Sequence, residues 1–493
     1  MRHIWLIATI SRSPIIAMPS PRLRLSCFMA NPSITTKEGL CDSTRGSLTR
    51  HEGRLDKDGM DGRRVQGRDD PARRRALRSI IGGSLGNFVE WYDWYVYSAF
   101  SVYFAGRFFP AEDQTAQLLS TAAIFAVGFL VRPVGAWLMG SYADRHGRKA
   151  GLALSVSLMG GGSLLVALTP TAQTIGLAAP SLLLVARLLQ GLSVGGEYGA
   201  SATYLAEMAG PNRRGLVSSW QYVTLIGGQL AALAVQLGLQ AALSEAAMEQ
   251  WGWRIPFLIG AGLAIGVFVL RRRIDETADF ARARASGRRT GGLELVRTHP
   301  REALLVLALT AGGTLSFYAY TTYMQKYLVN SADFTRPQAT VIMTAALALF
   351  MLLQPAFGAL SDRIGRRPLL IGFGIAGTLF TVPLFQAIGA TRSAGAAFAL
   401  VLAGLTIVSG YTAINAIVKA ELFPPHIRTL GVALPYAIAN ALFGGTAEYV
   451  ALWLVQAGHE PFFFYYVSGM CALSLLAYWR MRETARHGTM AGR

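Results

Sequence analysis

Long apolar segments separated by short polar links recur along the chain from about residue 80 onward. Each segment has about 20 residues, enough for a helix to cross a hydrocarbon core of roughly 30 Å. Every segment is expected to be helical, because unsatisfied backbone groups are too costly in lipid for open strands. The pattern predicts twelve transmembrane helices, near residues 80–105, 116–141, 150–169, 178–206, 217–241, 253–271, 303–328, 337–360, 368–388, 395–419, 431–456 and 461–480.

One charged motif occurs at the same place in both groups of six segments. GSYADRHGRK at residues 140–149 follows the second segment, and GALSDRIGRR at residues 358–367 follows the eighth. A second pair of motifs has the same order, AEMAGPNRRG at 206–215 and AELFPPHIRTLG at 420–431. The two pairs predict an all-α membrane protein in which twelve transmembrane helices form two pseudo-symmetric six-helix bundles.

The first 78 residues differ from the rest of the chain. They are rich in Arg, Ser, Asp and Gly without sustained apolar periodicity, so we expect a disordered basic extension, with Met60 as a candidate start. The remaining boundaries predict an N-terminal bundle at 79–271, a cytoplasmic link at 272–302, a C-terminal bundle at 303–482 and a cytoplasmic tail at 483–493.

The charge balance agrees with a membrane protein. Charged residues make up 15% of the chain, against roughly 25% in soluble proteins. A net charge of +18 would suggest nucleic acid as the partner of a soluble protein. Here the basic residues cluster on alternate links, which predicts a cytoplasmic location for those links and both termini in an inner membrane, with no nucleic-acid partner. These clusters are Arg145, Arg148 and Lys149; Arg213 and Arg214; Arg363, Arg366 and Arg367; and Arg428.

Four ionisable residues within apolar segments are candidates for proton coupling, because charge inside a bilayer is costly and marks function. Glu90 and Asp93 share one helix face with Tyr97, and Asp93 lies roughly 21 Å beyond a cytoplasmic helix start, near the midplane. Arg187 requires an acidic partner or a bound anion. Glu197 follows it about 80° around the helix. The sequence does not choose among the three carboxylates, and a purely structural buried pair is the alternative.

Two cations suit a small dicarboxylate, since guanidinium and ammonium groups bind carboxylates strongly. Arg132 precedes a helix-weakening proline, and Lys326 lies near the outer end of the seventh segment. The alternative for Lys326 is snorkelling to the outer interface. The full predicted substrate-binding set is Arg132, Lys326, Tyr97, Gln190 and Tyr323. Tyr436, Asn440 and, more weakly, Glu448 are polar positions that either line the cavity or join helices.

The repeated motif lies on cytoplasmic links and therefore predicts a gate away from the binding site. Such partly exposed ion pairs contribute on the order of 0–1 kcal/mol each, so only a network would bias the conformational equilibrium. The residues of this predicted cytoplasmic gate are Asp144, Arg145, Arg148, Glu207, Asp362, Arg363, Arg366 and Glu421.

These motifs carry a family resemblance that covers nearly everything after residue 78. The repeated Gly-x-x-x-Asp-Arg-x-Gly-Arg-Arg/Lys motif resembles the signature of the major facilitator superfamily, and Arg187-x-x-Gln190-Gly191 resembles its proton-coupled members. GNFVEWYDWYVY (86–97), FLVRPVGAW (129–137) and QGLSVGGEYG (190–199) are similar to the metabolite:proton symporter family. QYVTLIGGQL (221–230), YTTYMQKYLVN (320–330) and FGGTAEYVAL (443–452) narrow the resemblance to members that carry α-ketoglutarate.

The resemblance implies a proton-coupled symporter that imports α-ketoglutarate or a related dicarboxylate by alternating access. It further implies that Asp93 pairs with Arg187, as the matching positions do in sugar:proton symporters. The chain is expected to work as a monomer without cofactor or metal, and it carries no nucleotide motif for coupling to ATP. Alternative substrates are citrate, shikimate or a zwitterion such as proline or betaine. An alternative function is drug efflux by antiport. No appended domain or catalytic constellation suggests an enzyme.

Overall fold

The computed structural model describes residues 71–272 and 292–490, apart from residues 112, 147, 195, 196 and 211. Side chains are not described for residues 71–84, 140, 141, 143–145, 148, 149, 152, 197, 200, 271 and 272. The predicted disorder of the N-terminal extension and the candidate start at Met60 lie outside the described residues, as does most of the predicted link. The boundaries proposed for these segments stay predictions.

Six helical spans form the first half. They are α1, Pro71–Phe108; α2, Gln114–Leu130 continued by Arg132–His146; α3, Arg148–Leu168; α4, Ala178–Val194 continued by Glu197–Met208; α5, Arg214–Ala242; and α6, Ile255–Arg272. Short helices at Ala172–Ile175 and Glu245–Gln250 and a 3₁₀ turn at Gly252–Arg254 lie in the links on the predicted outer side.

The second half repeats this arrangement. Its spans are α7, Pro300–Tyr318, Ala319–Tyr323 and Met324–Asn330; α8, Arg336–Ile364; α9, Arg366–Ala390; α10, Ala394–Thr412 and Asn415–Leu422; α11, Arg428–Ala439, Asn440–Gly444 and Ala447–Gln456; and α12, Pro461–Arg480. Short helices at Gly292–Thr298 and Thr484–His487 flank the bundle.

The twelve-helix prediction is confirmed. Within the described ranges, nine helices are long and apolar enough to cross a membrane, and two shorter apolar helices and α1 complete the set. Large apolar side chains such as Trp137, Leu177 and Leu352 face outward, as lipid contact requires. The largest boundary difference is at α1, which begins nine residues earlier than predicted because its polar first turns carry no apolar signal.

Several spans are interrupted near the centre of the molecule. α2 breaks at Val131, just before the Arg132–Pro133 pair, because proline has no backbone N–H to donate. α7 and α11 each contain a π-helical turn, at Ala319–Tyr323 and Asn440–Gly444, a feature frequent at functional sites.

The two halves meet along a continuous seam. α5 lies against α8, α11 lies against α2 and α4, and α1 contacts the π turn of α7. Where α5 meets α8 the backbones nearly touch: a Cβ added at Gly358 would lie 2.6 Å from the carbonyl oxygen of Gly215. Glycine is required there, because small residues allow close helix packing. The seam therefore holds the candidate site between the bundles.

Candidate transport site

Asp93 lies at the centre of a polar network inside the N-terminal bundle. It is 1% exposed and accepts hydrogen bonds from Ser163 on α3 and from Gln190 on α4. Arg187 Nη1 donates to Gln190 Oε1 at 2.6 Å and lies 4.0 Å from Asp93 Oδ2. The structure thus brings together the two residues whose pairing the resemblance implied, with Gln190 as the bridge between them.

The rest of the Arg187 guanidinium rests on aromatic rings. Its Cζ lies 3.7 Å from the centre of the Tyr97 ring, which attracts a cation electrostatically. Arg187 Nε and Nη2 have no hydrogen-bond partner among the described residues. Tyr97 uses its hydroxyl elsewhere, donating to the carbonyl oxygen of Thr121 at 3.0 Å. Tyr97 and Gln190, predicted to bind substrate, here belong to the surroundings of Arg187.

A small cavity with about 20 Å³ of space for water lies on the seam between the bundles, well below the roughly 300–1,000 Å³ typical of small-molecule sites. Glu90, Arg132 and Tyr198 line it from the N-terminal half, and Tyr436 and Asn440 line it from the C-terminal half. We refer to it as the inter-bundle cavity. Among its lining residues are the sequence candidates Arg132, Tyr436 and Asn440, together with Tyr198, which the sequence analysis did not consider.

Arg132 has spare hydrogen-bonding capacity. It is 4% exposed, and its Cζ lies 3.6 Å from the centre of the Phe129 ring and 4.1 Å from that of Trp94. Its Nε and Nη2, together with Nδ2 of Asn440, have no hydrogen-bond partner among the described residues. Buried donors are normally paired, so these groups on one cavity can bind an anion.

The other two proton-coupling candidates lie near the same cavity. Glu90 is 6% exposed and lines the cavity with Arg132. Glu197 begins the second segment of α4, next to Tyr198, and its side chain lies outside the described residues.

Lys326 does not line the inter-bundle cavity with Arg132. Its Nζ lies 2.8 Å from Glu448 Oε1 and donates to Ser98 on α1, to the carbonyl oxygen at 2.9 Å and to Oγ at 2.7 Å. At 1% exposure it does not snorkel to the interface, so that alternative is wrong. Tyr323 is also buried and donates to Glu460 Oε1 at 2.9 Å. The predicted pairing of Arg132 with Lys326 around one small anion is absent from this conformation.

Residues of the predicted cytoplasmic gate form contacts between the bundles. Arg428 Nη1 lies 2.6 Å from Glu207 Oε1, joining α11 to α4. Asp362 accepts from the backbone N–H groups of Gly215 and Leu216, at 2.8 and 2.9 Å, and thereby caps the start of α5. Such a carboxylate satisfies amides that have no partner within the helix.

The remaining gate residues divide into three groups. Arg366 is buried and bonds to Asp362 at 2.8 Å, with Glu421 at 3.7 Å. Glu421 also accepts from Thr484 on the segment that follows α12. Arg363 is exposed to solvent. The side chains of Asp144, Arg145 and Arg148 lie outside the described residues, so their predicted role stays a prediction.

Sequence reasoning undervalued one ionisable residue and missed another. Glu448 was ranked weakly, although it forms the buried pair with Lys326. Lys419 on α10 was overlooked, although it is completely buried. Both lie inside apolar segments, so the default that intramembrane charge marks function would have identified them.

Comparison with known proteins identifies the family. The model of the Major Facilitator Superfamily matches residues 83–418 and 327–492. The chain is 54% identical, over 403 residues, to the alpha-ketoglutarate permease of Escherichia coli (strain K12), covering 82% of this chain and 93% of that protein. It is 36% identical to the citrate-proton symporter of Salmonella typhi, covering 83% of this chain and 95% of that protein.

A solved structure supports the fold. The partially occluded inward-open xylose transporter XylE from E. coli matches with a TM-score of 0.65 at 16% identity, covering 83% of this chain and 98% of that one. Identity this low shows the fold alone. The family match and the 54% identity show that the chain belongs to the major facilitator superfamily.

Proposed function

We propose that this protein is a proton-coupled symporter that imports α-ketoglutarate or a related dicarboxylate by alternating access. The observation that carries the proposal is the set of unpaired buried donors on the inter-bundle cavity, Arg132 Nε and Nη2 with Asn440 Nδ2. A carboxylate bound there would satisfy these groups with charge-assisted hydrogen bonds. The 54% identity with the E. coli alpha-ketoglutarate permease supports this choice of anion.

Proton coupling follows from the carboxylates near that cavity. Glu90 lines the cavity beside Arg132, so protonation of Glu90 would remove a negative charge from the path of an incoming anion. Asp93 holds Arg187 through Gln190, so protonation of Asp93 would weaken that connection. Either step makes anion binding depend on a proton, and Glu197 is a third candidate.

Alternating access requires the bundles to separate at one side at a time. The contacts of Asp362 with α5 and of Arg428 with Glu207 support a gate that would hold the cytoplasmic side closed. Anion and proton shift the equilibrium because each binds the two conformations with different affinity. We further propose that one chain forms a complete transporter in the inner membrane, with both termini in the cytoplasm.

The direct test is uptake of labelled α-ketoglutarate into proteoliposomes under an imposed proton gradient, with and without an uncoupler. We expect accumulation that the uncoupler abolishes. Accumulation that ignored the uncoupler would refute proton coupling.

Competition by citrate, shikimate, proline, betaine and a lipophilic cation then identifies the substrate class. Citrate is the second candidate, because the chain is 36% identical to a citrate-proton symporter. Stronger competition by citrate than by unlabelled α-ketoglutarate would favour it.

A further inference from the structure

Lys419 on α10 is a fully buried lysine that forms no ion pair in the described part of the chain. Its Nζ donates to Asn415 Oδ1 at 2.9 Å and approaches the Tyr198 hydroxyl at 3.4 Å. Several other buried basic residues of the described helices form an ion pair with a carboxylate, among them Arg187, Lys326, Arg366 and Arg428. Arg132, on the inter-bundle cavity, resembles Lys419 in forming no such ion pair.

Aromatic rings provide the rest of the surroundings of Lys419. Nζ lies 4.0 Å from the centre of the Tyr436 ring, 5.4 Å from that of Tyr198 and 5.9 Å from that of Tyr411. Ring faces attract a cation, but they do not replace an opposite charge removed from water. A charged ammonium at this position would be only partly compensated, and an anion would complete its surroundings.

Two of these rings separate Lys419 from the inter-bundle cavity. Tyr198 and Tyr436 come from opposite bundles and stack with ring centres 3.8 Å apart and planes 12° apart. Both also line the cavity that holds Arg132. Since each bundle contributes one ring, separation of the bundles at this level must also separate the stack. Separation would connect the cavity with Lys419.

We propose that Lys419 is a second carboxylate-binding residue, which contacts the substrate on its cytoplasmic exit path after the Tyr198–Tyr436 stack opens. Arg132 binds one carboxylate of the substrate, and Lys419 receives a carboxylate when the cytoplasmic side opens. We assign the role of second cation to Lys419 and not to Lys326, because Lys326 is already paired with Glu448. This inference rests on the proposed function and specifies its substrate class, an anion with two carboxylates.

The test compares α-ketoglutarate with 2-oxopentanoate, which has a methyl group in place of the distal carboxylate. Half-saturation constants are measured at the cytoplasmic face of oriented vesicles for wild type, Lys419→Met and Lys419→Arg. Lys419→Met should raise the constant for α-ketoglutarate about 10- to 100-fold, the loss of one hydrogen bond to a charged group. Competition by 2-oxopentanoate should be unchanged, and Lys419→Arg should recover most of the affinity.

The control variant is Arg392→Gln, which removes an exposed cation on the predicted outer side. An unchanged constant for α-ketoglutarate in Lys419→Met would overturn the inference. Equal losses for both compounds would also overturn it, because they would indicate a structural role. Should Lys419→Met fail to reach the membrane, Lys419→Gln is measured in the same way. Absence of α-ketoglutarate transport by wild type would instead refute the proposed function.

Discussion

Lys326 and Glu448 form a buried ion pair, with Nζ 2.8 Å from Oε1 and both side chains no more than 3% exposed. Ser98 of the opposite bundle bonds to both, since its Oγ accepts from Lys326 and donates to Glu448 Oε2 at 2.7 Å. The pair therefore joins α7 and α11 to α1, on the side of the seam away from the cytoplasmic gate. Lys326, which the sequence predicts to bind the substrate, therefore helps to hold the two bundles together in this conformation.

Removing one partner of this pair should destabilise the protein strongly. Lys326→Gln leaves Glu448 as an unpaired buried carboxylate, which typically costs about 3–5 kcal/mol. The double variant Lys326→Gln, Glu448→Gln should regain at least half of that loss and much of the uptake, since it buries no unpaired charge. Thermal unfolding in detergent and α-ketoglutarate uptake measure the two effects. A stable double variant that took up zwitterions but no dicarboxylates would instead indicate that Lys326 binds the substrate.

Asp93→Asn should abolish accumulation driven by the proton gradient while sparing exchange of labelled for unlabelled substrate. The amide keeps hydrogen-bonding capacity toward Ser163 and Gln190 but does not carry a titrating proton. Accumulation and counterflow are measured in the same vesicles. Normal accumulation by this variant would remove Asp93 from the proton pathway.

Glu90→Gln tests the carboxylate that lines the inter-bundle cavity with Arg132. If Glu90 must be protonated before the anion binds, the neutral amide should bind α-ketoglutarate at high pH as tightly as wild type does at low pH. Binding is measured as substrate-induced thermal stabilisation across a pH series. A variant whose binding fell with pH as steeply as that of wild type would leave the coupling role to Asp93 or Glu197.

Asp362→Asn should shift the protein toward the conformation that is open to the cytoplasm. Asp362 caps α5 of the other bundle, and caps of this kind contribute about 0.5–2 kcal/mol, a change of about 2- to 30-fold in the ratio of states. Distances between spin labels on the cytoplasmic links report that ratio. Asp333→Asn is the matched control, because Asp333 pairs with Arg392 on the exposed outer surface. Equal ratios in both variants would refute the gate.

Gly358→Ala should prevent closure of the cytoplasmic side. The added methyl would lie 2.6 Å from the Gly215 carbonyl oxygen and 2.9 Å from Ser219 Cβ, distances that the closed contact does not accommodate. Uptake should fall sharply while binding from the cytoplasmic face persists. Gly372→Ala is the control, since its added methyl meets nothing within 4 Å. Wild-type uptake by Gly358→Ala would show that the backbones need not approach so closely during transport.

The fold could be predicted from the sequence because membrane insertion depends on the hydrophobicity of consecutive residues. A segment of about 20 apolar residues crosses the bilayer whatever its neighbours are. The repeated motifs predicted the two bundles for the same reason, because each motif is a short run of consecutive residues. The start of α1 was placed too late, because its polar first turns carry no apolar signal.

Parts of the candidate site could also be proposed from the sequence. Asp93, Arg187 and Arg132 were selected because charge inside an apolar segment is costly, and that reasoning requires no contact information. The same reasoning did not show which cations already have partners. Lys326 and Arg132 look alike along the chain, yet of the two only Lys326 forms an ion pair with a carboxylate in the described structure.

The sequence by itself determined the membrane class, the number and order of the helices and the ionisable residues at membrane depth. Each of these follows from composition within a single segment. The tertiary structure decided that Glu448 compensates Lys326, that Gln190 bridges Asp93 and Arg187, and that Lys419 lies behind the Tyr198–Tyr436 stack. Those relationships join different helices, and the free energy of a buried charge depends on the partners that packing brings to it.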